Sequence, residues 1–127
     1  MNIQEINQHT PLLSVSPSAL LGWLENNCAV NIPERIETTD DLKVAGEAIS
    51  QLTGFYSYVM SVYLYSKLAV REAKKNNLSK DEINNCIDRR DILKDFAEVL
   101  KLKYTAISRM ITVKKQVDEE LKMLNLS

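Results

Sequence analysis

The stretch FYSYVMSVYLYSK, Phe55 to Lys67, decides the fold. It holds four of the chain's five tyrosines, with serines and large aliphatic residues between them. If the stretch is helical, apolar or aromatic side chains point to nearly every side, and helices of that kind are buried on more than one face. The stretch therefore predicts a helix that packs along its length against more than one partner.

Apolar and small residues at alternating spacings of three and four extend this helix in both directions. The pattern predicts a helix over about residues 39–76 with a packed heptad seam. That seam consists of Leu42, Ala45, Ile49, Leu52, Tyr56, Val59, Tyr63, Ser66, Val70 and Ala73.

A second long helix is predicted over about residues 79–124, because Ser79 and Glu82 match a capping box and neither glycine nor proline follows. It has two seams. The first consists of Leu93, Ala97, Leu100, Tyr104, Ile107 and Ile111, and the second of Phe96, Val99, Ala106, Met110, Val113 and Val117. The short connection predicts an antiparallel helical hairpin over residues 39–127.

Residues 1–38 differ from the hairpin and are predicted to be an N-terminal arm. Ser16 is a suitable N-cap and Pro17 suits the first helical position, which predicts a short helix over about residues 17–27. Pro33 and β-branched residues then indicate an extended connector. Residues 1–15 show no period and are expected to be partly disordered or to form an arm.

Composition indicates one soluble all-α domain. The 127 residues include only three glycines and three prolines, and the net charge of −1 gives no general attraction to DNA or membranes. No run of about 18 apolar residues predicts a membrane span, and the N-terminus does not match a secretory signal. Cys28 and Cys86 fit reduced core thiols, so a cytoplasmic location is expected.

One short N-terminal helix cannot cover the remaining apolar faces of two long helices. Exposed apolar surface on this scale usually marks an interface. The sequence therefore predicts a homo-oligomeric bundle. The interface is expected to include Phe55, Tyr56, Val62, Tyr63, Phe96, Met110 and Val113.

Enzymatic chemistry has little support in the sequence. The single histidine, His9, lies in the arm, and there is no cysteine–histidine cluster with metal spacing, no phosphate loop and no nucleophile elbow. We expect no catalytic residue, no metal and no cofactor.

Two groups of side chains are candidates for ligand binding. Tyr58 and Tyr65, seven residues apart, either pack at an interface or stack on a flat ligand such as a nucleobase. The other group is a row on one face of the second long helix with Arg109 beside it, and it either holds a phosphate or is a solvated face. The row consists of Lys101, Thr105, Ser108, Thr112 and Lys115.

Two further features have structural explanations. The small residues Ser50, Gly54, Ser57 and Ser61 indicate close helix–helix contact, with a ligand groove as the alternative. The basic pairs Lys74–Lys75 and Arg89–Arg90 lie among acidic residues, which argues against duplex DNA as a partner.

The segments LTGFYSYVMSVYLYSKLAVRE (52–72) and AISRMITVKKQVDEELKML (106–124) resemble uncharacterised small helical proteins of phages and prophages of Gram-positive bacteria. By analogy, the resemblance implies an oligomeric anti-defence sponge that holds cyclic-nucleotide signals in pockets between protomers. The side chains that it would use here are Tyr58, Tyr65, Lys67, Arg71, Thr105, Ser108, Arg109 and Thr112.

The expected function is therefore that of a non-enzymatic, oligomeric binding protein that sequesters a nucleotide immune signal in the cytoplasm of an infected or lysogenic bacterium. One alternative is a helical adaptor or inhibitor that binds a host defence protein or a phage recombination protein. A second alternative is an accessory factor for single-stranded DNA, whose binding would depend strongly on salt.

Overall fold

The computed structural model describes residues 1–126. Within them the chain is 84% helical and contains no strand, which confirms the predicted all-α class. The α-helices are α1 (Ile3–His9), α2 (Pro17–Asn27), α3 (Thr39–Lys75) and α4 (Lys80–Leu126), and a 3-10 turn (Pro11–Ser14) follows α1. α3 packs on α4, and these two helices form the body of the molecule. Along the described residues, no helix has the length and apolarity that crossing a membrane requires.

A capping box that the sequence analysis did not identify fixes the start of α3. The Thr38 hydroxyl accepts a hydrogen bond from the Asp41 backbone N–H at 3.1 Å. In return, the Asp41 carboxylate accepts hydrogen bonds from the backbone N–H groups of Glu37 at 2.9 Å and Thr38 at 3.0 Å. These backbone hydrogen bonds, that from Glu37 first, lower the pKa of Asp41. The chain therefore turns from the connector into α3 with the N–H groups of Glu37, Thr38 and Asp41 hydrogen-bonded.

The end of α3 is a Schellman motif. The Leu78 N–H donates to the Ala73 carbonyl at 3.1 Å, and the Asn77 N–H donates to the Lys74 carbonyl at 3.2 Å. Asn77 has a φ of 52°, a left-handed conformation that asparagine tolerates better than most residues do. The motif stops α3 at a defined residue and reverses the chain within a few residues.

The start of α4 follows the predicted cap. The Ser79 hydroxyl accepts a hydrogen bond from the Glu82 N–H at 3.2 Å. Far from this turn, the rings of Tyr56 and Tyr104 meet edge to face with centroids 5.8 Å apart. Tyr56 precedes the turn and Tyr104 follows it by a similar number of residues. Their contact therefore shows that α3 and α4 run antiparallel.

The core of the hairpin follows the predicted seams. The buried seam positions are Ala45, Leu52, Val59, Ser66, Val70 and Ala73 on α3, with Leu93, Ala97, Leu100 and Ile107 on α4. The other positions of the α3 seam and of the first α4 seam, among them Tyr56 and Tyr63, are half-buried. Ser66 is a polar exception, and its hydroxyl donates to the Tyr63 carbonyl at 2.6 Å. Its burial therefore leaves no unsatisfied hydroxyl.

The N-terminal arm packs on the hairpin through buried aliphatic side chains. Ile6, Leu13, Leu20 and Leu24 are between 0% and 3% exposed. Arg89 of α4 holds the arm as well, because its Nε donates to the Val15 carbonyl at 2.7 Å.

Residues 1–15 are more regular than the sequence predicted. The arm contains α1, which the sequence did not predict, and at its start the Asn2 side chain accepts a hydrogen bond from the Glu5 N–H at 2.9 Å. α1 carries only Ile3 and Ile6 as apolar residues, which is too few to show a period. Contact with α3, rather than local sequence preference, accounts for this helix.

α4 continues beyond the part of it that α3 covers. It has 47 residues against 37 in α3. C-terminal to Ile111, Lys114 is half-buried and the other residues through Asn125 are exposed. The last turns of α4 therefore project from the hairpin.

Candidate functional site

The N-terminal arm contacts both tyrosines that were candidates for base stacking. The Trp23 and Tyr58 ring centroids lie 6.0 Å apart at a tilt of 46°, and His9 stacks on Tyr65 at 6.1 Å with 7° between the ring planes. Tyr58 keeps 44% of its surface exposed, whereas Tyr65 is half-buried. Both rings thus contribute to docking the arm, and Tyr58 retains more surface for a ligand.

An open groove lies beside Trp23 and Tyr58, with a volume of about 620 Å³. Its floor includes Gly54, where an added Cβ would meet no atom within 4 Å. Gly54 is therefore not required for close packing inside the chain. The side chains and backbone that line the groove belong to Trp23, Asn27, Cys28, Ser50, Gln51, Gly54, Phe55 and Tyr58.

The basic candidates of α3 lie on a different side of the helix. The Lys67 ammonium is 5.6 Å from the centroid of the Tyr63 ring, a cation–π distance. Lys67 and Arg71 line a shallow groove with two exposed leucines, Leu64 and Leu68. At about 100° per residue, Lys67 lies about 180° around α3 from Tyr58. A small ligand on one chain therefore cannot contact Tyr58 and Lys67 together.

The row of hydroxyls and lysines on α4 faces solvent. Lys101, Ser108, Thr112 and Lys115 are exposed and Thr105 is half-buried. The Thr112 hydroxyl already donates to the Ser108 carbonyl at 3.0 Å, a hydrogen bond within the helix. Among the contacts of residues 1–126, neither lysine forms an ion pair. The row is therefore accessible as two separated cations with hydroxyls between them.

Arg109 lies beside the row, four residues after Thr105 and three before Thr112 on the same helix, and it also lines a groove between α4 and the connector. The groove has a volume of about 580 Å³ and an apolar floor that includes Met110, Val113 and Val117. One wall is the connector segment 34–37, in which Arg35 and Glu37 form an exposed ion pair at 3.5 Å. Arg109 thus borders an apolar surface.

The most extensive exposed apolar surface of α4 is a line of side chains that we call the α4 stripe. It consists of Val99, Leu102, Ala106, Met110, Val113, Val117, Leu121 and Leu124. Leu102 is 71% exposed, Val113 56% and Leu121 53%, and Met110 is half-buried. The stripe includes much of the second predicted seam and runs farther, because Leu102, Leu121 and Leu124 extend it.

The structure divides the predicted interface residues into two groups. Val113 and the half-buried Met110 lie on the α4 stripe. Phe55, Tyr56, Tyr63 and Phe96 are half-buried and pack against the core of their own chain. Val62 is 3% exposed, so it has almost no surface left for a second copy.

The remaining reactive groups form no cluster in the described part of the chain. Cys28 and Cys86 are free and buried, and burial raises the pKa of each thiol. Among residues 1–126, no three His, Cys, Asp or Glu side chains come together in a way that could hold a metal ion.

In one chain, then, the ten predicted ligand-binding residues occupy several surfaces: an aromatic side next to the arm, a basic side of α3, and the row on α4 with Arg109 beside it. Comparison with known proteins gives no match to a family model, a curated protein or a solved structure.

Proposed function

We propose that this protein is a non-enzymatic binding protein that assembles into an oligomer through the α4 stripe. One observation carries the proposal: large apolar side chains at helical spacing lie exposed on α4, which projects beyond α3. Scattered exposed apolar residues are normal on a soluble protein, but a continuous line of them along one helix is typical of a helix–helix interface.

The free energy gained by burying apolar side chains supports the same conclusion. Burying a leucine or valine side chain completely is worth about 1.5–3 kcal/mol, so covering a half-exposed one contributes about 1 kcal/mol. After Val117 every residue of α4 through Asn125 is exposed, and short helical segments without packing are marginal in water. A partner helix would cover the stripe and stabilise these last turns together.

The oligomer is tested by light scattering and sedimentation of the purified full chain over about 1–100 μM, the range of micromolar affinities. We expect a mass at least twice the 14.5 kDa of one chain at the upper end. Val117→Asp should shift the equilibrium to monomer, because it places a carboxylate in the stripe. Lys122→Asp is the matched control, since it adds the same side chain at an exposed position outside the stripe.

A monomer at every concentration would refute the oligomer and favour the adaptor function, in which another protein covers the stripe. A reduced mass in both aspartate variants would mean that charge in general, and not the stripe, controls assembly.

A second candidate function is sequestration of a nucleotide, and the row on α4 favours it. Two exposed lysines with hydroxyls between them match the charge and hydrogen-bonding needs of phosphate groups. At about 100° per residue, the row is centred about 150° from the stripe, so assembly through the stripe leaves the row accessible. Such a protein would act by mass action, holding the free signal below the concentration that its effector requires.

Calorimetric titration with cyclic di- and trinucleotides and ADP-ribose tests this second function. Lys101→Ala or Lys115→Ala should weaken binding by about 1.5–3 kcal/mol each, the usual size of a charge-assisted hydrogen bond. Arg109→Ala and Tyr58→Ala report whether the groove and the aromatic side take part, and Lys122→Ala is the control. An absence of heat with every nucleotide, in a folded oligomer, would exclude these signals as ligands.

A further inference from the structure

The spacing of the α4 stripe has a symmetry of its own. From Val99 to Leu124 the successive intervals are three, four, four, three, four, four and three residues. The series reads the same in both directions. It is also an 11-residue repeat, at about 3.67 residues per turn, which keeps the line nearly straight on a helix of 3.6 residues per turn. At about 100° per residue, all eight positions stay within a band about 100° wide.

A palindromic line of this kind fits a reversed copy of itself. Resting on the proposed oligomer, we propose that the α4 stripe binds the α4 stripe of a second copy in antiparallel orientation. The two-fold axis passes between Met110 and Val113. The four layers, each formed twice, pair Val99 with Leu124, Leu102 with Leu121, Ala106 with Val117, and Met110 with Val113 of the second copy.

Charges beside the stripe favour the antiparallel orientation. In this register Lys103 lies opposite Asp118 of the second copy, which gives two attractive pairs per dimer. Arg109 lies opposite the neutral Gln116. In a parallel pair, by contrast, Arg109 of each copy would face Lys114 of the other, and like charges in flanking positions disfavour an orientation. Within its own chain Asp118 already accepts from Lys114 at 2.8 Å through Oδ1, so Lys103 of the second copy would bind the other oxygen of the same half-exposed carboxylate.

The groove beside the stripe gives a second copy additional contact. The connector segment 34–37 stands over Met110, Val113 and Val117 as a wall. Ile36 in that wall is half-buried. A helix lying on the stripe would therefore touch both α4 and the connector.

The size of the contact predicts a reversible dimer. The overlap of 26 residues, Val99 to Leu124, is about 38 Å long from the first Cα to the last at a rise of 1.5 Å per residue. With the flanking positions it includes roughly 14 residues from each copy, against about 20–30 in a standard interface, and buries on the order of 1,000 Å² in total. That is at the lower limit for a specific interface, so the dissociation constant should lie in the micromolar range.

Cysteine cross-linking tests orientation and register in the full chain. Leu102→Cys and Leu121→Cys are prepared separately and then mixed under mild oxidation. The antiparallel register predicts a disulfide-linked dimer in the mixture and little in either variant alone, because identical positions lie about 28 Å apart at 1.5 Å per residue. A parallel pair would give the opposite result, with each variant cross-linking to itself.

A charge exchange provides an independent measurement. Lys103→Asp and Asp118→Lys should each weaken dimerisation several-fold. Asp118→Lys also removes the intrachain pair with Lys114, so the double variant is compared with Asp118→Lys and should dimerise several-fold more tightly than it. Circular dichroism confirms that each variant keeps its helix content. An oligomeric protein without the mixed cross-link, or without restoration in the double variant, would overturn the antiparallel register and leave the proposed assembly intact. A monomer at 100 μM would overturn both.

Discussion

Two leucine-to-alanine substitutions on α3 give a direct measure of the core. Leu52 is 1% exposed in the seam, whereas Leu64, twelve residues later on the same helix, is 56% exposed. Removing the buried side chain at Leu52 should cost about 0.8 kcal/mol for each of its three lost carbons, or about 2.4 kcal/mol. The cavity that remains raises the expected total to about 3–4 kcal/mol.

Leu64 is more than half exposed, so less than half of the roughly 2.4 kcal/mol for burying three carbons is lost, and no cavity forms. The loss of stability in Leu64→Ala should therefore be at most about 1 kcal/mol. Alanine is the better helix former by a few tenths of a kcal/mol at both positions, which leaves the difference between the two variants unchanged.

Urea denaturation followed by circular dichroism at 222 nm separates the two variants. With a slope of about 2 kcal/mol per molar urea, Leu52→Ala should lower the midpoint by about 1.5–2 M and Leu64→Ala by less than about 0.5 M. Protein concentration must be the same in all samples, because assembly would make the midpoint concentration-dependent. Equal midpoints for the two variants would refute the assignment of Leu52 to the core face of α3.

Asn77→Gly should raise the free energy of unfolding by about 0.5–1 kcal/mol, because glycine adopts a positive φ without strain, and a lower melting temperature would contradict this. An NMR titration should place the Asp41 midpoint below its ordinary value of 3.8, and Thr38→Ala should shift it upward. The cap of α3 that Asp41 completes is fully formed above the pKa of an unfolded aspartate and is lost as pH falls through the lower folded pKa. At pH 8 the buried thiols of Cys28 and Cys86 should react with a disulfide reagent far more slowly than in urea. Their raised pKa also predicts stability that declines above about pH 8.5, where unfolded thiols ionise first.

The hairpin could be predicted from sequence because the apolar spacing that defines its helices is local and recurs at every turn. The seam from Leu42 to Ala73 recurs over many turns, so one unusual residue such as Ser66 does not obscure it. Ser79 and Glu82 marked the start of α4 by their chemistry alone. α1 could not be predicted in this way, because two isoleucines carry no period and its position depends on contacts with α3, which is distant in the chain.

Surface properties were harder to predict than the core. Helical spacing identified apolar positions on several sides of α3, but it did not show that Trp23 and His9 of the arm would contact Tyr58 and Tyr65. Those contacts join residues that are far apart in sequence. The second seam was predicted only as far as Val117, whereas the α4 stripe continues through Leu121, and its exposure depends on the arm and α3 leaving the end of α4 uncovered.

The contact between Trp23 and Tyr58 gives the molecule a natural spectroscopic reporter. Trp23 is the chain's one tryptophan, and it sits on α2, outside the hairpin. Its fluorescence therefore follows the release of the arm, whereas far-ultraviolet ellipticity is dominated by α3 and α4. If the two signals change at different urea concentrations, the arm undocks as a separate cooperative unit while the hairpin stays folded. Coincident transitions would mean that the arm and the hairpin melt as one.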